Sequence, residues 1–211
     1  MVLLGATRSV QRASLLFAVL AVLVQILVLA GLVWWIGSRL SSRWRTSLDA
    51  ARAQLAVPAL ALAAAIALVA TLGSLWFSEV ADLPPCRLCW FQRTAMYPLA
   101  VILTIAAIRR DRRIAWYAVP LALIGMDVSI YHYLVEWFPS WETSCDPINP
   151  CSLLWFGRRF GYLTLPSMAG TGFAGIVVLV WFAWSRVDGG RSDVGTLDRP
   201  ATTDSRVDVT P

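Results

Sequence analysis

The stretch ILTIAAIRRDRRIAWYAVPLALIG, residues 102–125, decides the fold. Two continuously apolar flanks meet at RRDRR, residues 109–113, which packs four arginines into five positions. The flanks belong to runs near 90–108 and 114–134, and similar runs lie near 13–37, 55–77 and 165–184. Each is long enough to cross roughly 30 Å of hydrocarbon, which takes about 20 helical residues. None alternates as a barrel strand must, so the spanning elements read as helices. The arginine cluster belongs in the cytoplasm by the positive-inside rule. The segment 38–54 agrees, with Arg39, Arg43, Arg45 and Arg52 against one acid, and two spans separate it from RRDRR. Segments 78–89 and 135–164 then face outward, as does the start of the chain despite Arg8 and Arg12. Trp34, Trp35, Trp76, Trp90, Trp116, Trp137 and Trp184 fall near the span ends, as an aromatic belt would.

Composition points the same way. The chain has 211 residues, 58% hydrophobic and 15% charged, with mean hydropathy +0.64. That is an integral membrane protein rather than a soluble domain. The net charge of +5 is carried by arginines in short clusters between apolar runs. Such clusters are topology signals, so the expected partner is the lipid bilayer and not nucleic acid. All eighteen basic side chains are arginine, for which the sequence offers no mechanism. No phosphate-cradling glycine loop, Ser-His-Asp set or HExxH motif is present. The first apolar run, about 25 residues with no A-x-A site after it, exceeds a signal-peptide core and reads as a retained helix. The polar, aperiodic segment after Arg186 reads as a disordered cytoplasmic tail.

The four cysteines form two close pairs, Cys86/Cys89 and Cys145/Cys151. Two spans lie between the pairs, so both share one side. That side is the outer one, where disulfides persist. In PPCRLCWFQR, residues 84–93, Pro84 and Pro85 block a helix from upstream and suit a helix start. The C-x-x-C pair therefore sits at the N-terminal end of the third span. Free N–H groups there, and the spacing itself, favour a thiolate at the membrane edge. Arg93 lies at i+4 from Cys89 on the same helix face. It can stabilise a thiolate or an anionic oxygen, or snorkel to the interface. In SCDPINPCS, Pro147 and Pro150 keep the loop from being helical, and a disulfide closing so short a loop is of the exchangeable kind. The residues alone leave other readings open: a four-thiolate zinc site, or two structural staples. His132, the one histidine, falls at the outer end of the fourth span. Asp127 lies one to two turns deeper, at a depth that suits Arg93 as its counter-ion.

Taken in order, PCRLCWFQR, RRDRR, YHYLVEWFPS, the two-cysteine loop and WFGRRFGYLTLP resemble the DsbB family of membrane disulfide oxidoreductases, over about 55–184. The short loop spacing looks most like its BdbC-type branch. The similar vitamin K epoxide reductase fold has its loop cysteines first, the reverse of the order here. The resemblance implies that Cys86 and Cys89 are the pair next to a quinone, with Cys89 the cysteine that contacts it and can form an adduct. It implies that Arg93 and His132 belong to the quinone site, and that Cys145 and Cys151 exchange with a DsbA-like thioredoxin-fold partner. The resemblance assigns no role to Asp127, and residues 1–54 are extra.

The expected architecture is all-α: a four-helix transmembrane bundle with one extra N-terminal helix. Residues 1–54 are the extra transmembrane helix and its cytoplasmic link, 55–185 the catalytic domain, and 186–211 the tail. The implied activity reoxidises the partner and passes electrons to ubiquinone or menaquinone, supporting disulfide formation as a folding chaperone system does. The implied location is a bacterial inner (cell) membrane, multi-pass, with the cysteines extracytoplasmic. The alternatives are a metal-stabilised membrane scaffold, and a thiol-reducing relay running in the opposite direction.

Overall fold

A computed structural model describes residues 2–143 and 145–184, apart from the side chains of residues 2–7 and 53. The expected tail, 186–211, lies outside the described residues. Five long helices occur among them: α1 (Val2–Leu40), α2 (Ser42–Glu79), α3 (Arg87–Arg109), α4 (Ala115–Trp137) and α5 (Leu165–Trp184). All five are long and apolar enough to cross a membrane. The protein is an all-α, multi-pass membrane bundle.

α2, α3, α4 and α5 form a ring in which each helix packs on two neighbours, with little contact across the α3–α5 diagonal. α1 lies outside the ring, in the groove between α2 and α5. Ala56, Ala59, Ala63 and Ala67 make a small-residue stripe on α2, and Leu60, Leu99, Leu103, Phe173 and Ile176 fill the core. Lipid tails are as apolar as leucine, so burial alone does not drive helices together in a bilayer. Close approach over small residues does. The leucines and isoleucines left exposed on α1, such as Leu16, Leu29 and Leu32, suit a lipid-facing surface.

The link 38–54 is helical rather than a loop. The break between α1 and α2 is confined to Ser41, which is extended at φ −143° and ψ 134°. Residues 43–56 are mostly arginine, alanine, leucine and glutamine, all strong helix formers. The corner is braced by Trp34 Nε1, which donates to Ser47 Oγ at 3.2 Å. At RRDRR the chain turns on Arg110 in the left-handed conformation, φ 55°, and Asp111 accepts from Arg113 N at 2.9 Å. Trp116 and Trp184 meet edge to face at 5.2 Å, fixing the arginine-rich end of α4 beside the end of α5.

The expected Arg93–Asp127 pairing does not occur. Asp127 is exposed on the outward face of α4, whereas Arg93 is buried against α2. Matched depth was the sole basis for that pairing, and depth does not set the direction in which a helix points a side chain.

Candidate redox site at the end of the bundle

Cys86 is the N-cap residue of α3, with φ −70° and ψ 173°. Its sulfur accepts from Cys89 N at 3.4 Å, so it sits on the free N–H groups of the first turn, where the helix dipole favours negative charge. The Cys89 thiol lies 2.9 Å from Cys86 Sγ, and neither cysteine is disulfide-bonded. The Cys86 thiol is held down at about 4, first by the hydrogen bond from Cys89 and then by His132, against the opposing effect of burial. These contacts favour the thiolate form of Cys86.

The second pair is closed as a Cys145–Cys151 disulfide, with Cα atoms 5.9 Å apart. Its loop folds back onto the start of α3, where Asn149 Nδ2 donates to Pro84 O at 3.2 Å. Cys151 is 1% exposed and shares one buried cluster with Cys86, Leu88 and Val135, against which Cys89 and Cys145 pack. Two bonded sulfurs are not free thiolates, so this arrangement does not supply a four-thiolate zinc site.

His132 joins the two pairs. Its Nε2 lies 3.0 Å from Cys151 O and 3.6 Å from Cys86 Sγ, and its Nδ1 lies 3.5 Å from Gln92 Nε2. One tautomer serves all three contacts: Gln92 donates to Nδ1, and Nε2–H points at the Cys151 carbonyl and the Cys86 sulfur. His132 thus lines a small cavity with Cys86, Cys89, Glu136 and Cys151, rather than the larger cavity that Arg93 lines.

That larger cavity holds about 440 Å³ between α1, α2, α3 and α5. Its polar end carries Cys89, Gln92, Arg93 and Ser74; the remaining wall is nearly all apolar. Arg93 donates through Nε to Ser74 Oγ at 2.9 Å and through Nη2 to Ser74 O at 2.8 Å. Its guanidinium also stands over the Trp90 ring at 5.1 Å. Cys89 borders both cavities.

Three residues of the site went unread in the sequence. Gln92 orients His132. Glu136 lines the small cavity, 7% exposed, with Oε2 lacking a hydrogen-bond partner. Glu142 steadies the loop disulfide, accepting from Cys151 N at 2.6 Å and Ser152 Oγ at 2.7 Å. The i,i+4 spacing of His132 and Glu136 is the one signal that pointed to any of them.

Residues 56–185 match the family model described as disulfide bond formation protein DsbB. The chain is 42% identical over 117 residues to "Disulfide bond formation protein C" of Bacillus subtilis, covering 54% of this chain and 84% of that one. It is 39% identical over 122 residues to "Probable disulfide formation protein C 2" of Bacillus anthracis, covering 58% and 87%. A "Probable disulfide formation protein" of Coxiella burnetii is 46% identical over 103 residues, covering 47% and 69%. No solved structure matches the chain. The chain belongs to the DsbB family of membrane disulfide oxidoreductases.

Proposed function

We propose that this protein reoxidises an extracytoplasmic DsbA-like thioredoxin-fold partner and delivers the electrons to a membrane quinone, ubiquinone or menaquinone. The observation that carries the proposal is the position of Cys89. It borders both the small cavity shared with Cys86 and Cys151 and the large apolar cavity shared with Arg93. A long apolar volume with a charged donor at one end fits a prenylated ring whose oxygens gain negative charge on reduction.

The partner's thiolate attacks Cys145, which is half-buried, while Cys151 is buried. Cys151 leaves as a thiolate and attacks Cys86 of an inner disulfide, expelling Cys89. The partner's second thiol displaces Cys145 and departs oxidised. Cys145 then displaces Cys86 from Cys151 and restores the loop disulfide. One disulfide has broken and one has formed, and two electrons rest on the Cys86 and Cys89 thiols. A bound quinone supplies a two-electron, two-proton acceptor. The chain's own part is to hold Cys86 within reach of Cys89, so that the inner disulfide can close again. Arg93 presents positive charge beside Cys89, and His132 keeps the Cys151 main chain against Cys86.

By the arginine distribution, RRDRR lies in the cytoplasm and all four cysteines lie outside a bacterial cell membrane. Residues 55–185 form the catalytic domain, with 1–54 added before it. The decisive experiment mixes purified protein with a reduced thioredoxin-fold donor and a short-tailed quinone. Quinol and oxidised donor should appear in equal amounts, and neither appearing overturns the proposal. Net flow from quinol to oxidised donor would select the reverse relay. One observation favours a metal reading: ligand atoms of Cys86, Cys89 and His132 all lie within 4.8 Å of one another. Stoichiometric zinc in purified protein, with unreactive inner thiols, would establish that reading instead.

A further inference from the structure

The large cavity has a wall that the family match does not contain. Residues 56–185 carry the match, yet Phe17, Leu20, Ala21, Val24 and Leu27 of α1 line the cavity. On the opposite side its lining runs along α2 from Phe77 to Leu62. That is sixteen residues, or about 22 Å of helix. The cavity is therefore long, with Cys89, Gln92, Arg93 and Ser74 near the cysteine end and, apart from Tyr97, apolar side chains beyond.

α1 is fitted over this cavity, not merely tethered to the ring. Gly73 of α2 lies under the Phe17 ring, where any Cβ would collide with it. Gly175 of α5 lies under Val24, where a Cβ would come within 2.6 Å of Cγ1. Polar contacts fix the register. Gln25 Nε2 donates to Thr171 Oγ1 at 3.2 Å, and Gln25 Oε1 accepts from Tyr162 OH at 2.7 Å. Arg159 donates to Ser14 Oγ at 2.7 Å and to Gln11. An apolar helix has equal affinity for lipid on every side, so small-residue contacts and hydrogen bonds such as these decide where it rests. In this chain they hold α1 along the open side of the α2–α5 groove.

Resting on the quinone reading above, we infer that α1 forms the outer wall of the quinone site. It closes a groove that would otherwise open sideways to lipid. The quinone ring lies at the Cys89–Arg93 end, and the isoprenoid tail runs along Leu20, Val24 and Leu27. These α1 residues therefore set the affinity for the tail, while α3 sets the affinity for the ring.

The test uses the full chain in lipid nanodiscs and a quinone carrying a photoreactive azide part-way along its tail. Irradiation of the wild-type protein should label α1 peptides around Leu20–Leu27. Labels confined to α2, α3 and α5 overturn the inference, and absence of specific labelling with no tryptophan quenching by any quinone overturns the quinone reading itself. In parallel, Leu20→Trp adds bulk inside the cavity. It should weaken binding of a long-tailed quinone, read by quenching of intrinsic tryptophan fluorescence, about tenfold or more. A tail-less ring quinone should bind nearly as to the wild type. Equal weakening of both quinones, or of neither, counts against α1 as the tail wall. Disulfide exchange with the partner occurs in the loop and reports whether the variant is folded.

Discussion

Replacing Arg93 by methionine should separate the two half-reactions of this protein. Arg93 is 7% exposed, within the first two turns of α3. Two of its five N–H groups are used on Ser74, and the side chain lines the large cavity. Methionine keeps much of the apolar stem and removes the charge. Losing a charge-assisted hydrogen bond to an oxygen that becomes negative costs about 1.5–3 kcal/mol, or about 10- to 150-fold in quinol formation. The structural penalty should be smaller. Ser74 O keeps a contact from the Ser78 hydroxyl at 3.3 Å, so it is not left bare. Arg93→Lys should fall between the two, since it retains charge but loses the two-pronged grip on Ser74. The assay is paired: steady-state quinol formation, and a single turnover of partner oxidation by pre-oxidised protein without quinone. Quinol formation should fall while the single turnover is nearly unchanged. Normal quinol formation in the methionine variant would reduce Arg93 to an anchor held by Ser74 and Trp90. Equal loss in both assays would mean that the variant is misfolded and that the charge argument fails.

The lowered Cys86 thiol, about 4 against an ordinary 9, predicts that thiolate absorbance of the reduced inner pair is constant from about pH 6 to about pH 8. Cys89→Ala removes its first hydrogen-bond donor and should restore a rise with pH in that window; an already rising signal in the parent protein refutes the assignment. Cys151→Ala should trap a reducible mixed disulfide between Cys145 and a partner that lacks its own resolving cysteine. Equal trapping by Cys145→Ala would reassign the attacked sulfur. Membrane-impermeant thiol reagents, added to intact cells after mild reduction, should label the cysteines; labelling only in broken cells would reverse the proposed orientation.

The sequence by itself determined the number of spans, their order, and the sharing of one end by both cysteine pairs. Hydropathy and arginine placement are properties of the chain in one dimension, and a bilayer supplies the axis along which they are read. Pro84 and Pro85 also located the start of α3, because proline leaves few alternatives at that point. Tertiary structure decided the direction in which each helix faces. Arg93 turns to Ser74 and not to Asp127, His132 stands between Cys86 and Cys151, and α1 lies across the α2–α5 groove. Lipid makes the apolar faces of a helix nearly equivalent, so rotation about the helix axis is left to scattered small and polar residues. Gly73, Gly175, Gln25 and Ser74 are such residues, and their meaning appears only once their partners, distant in sequence, are packed against them.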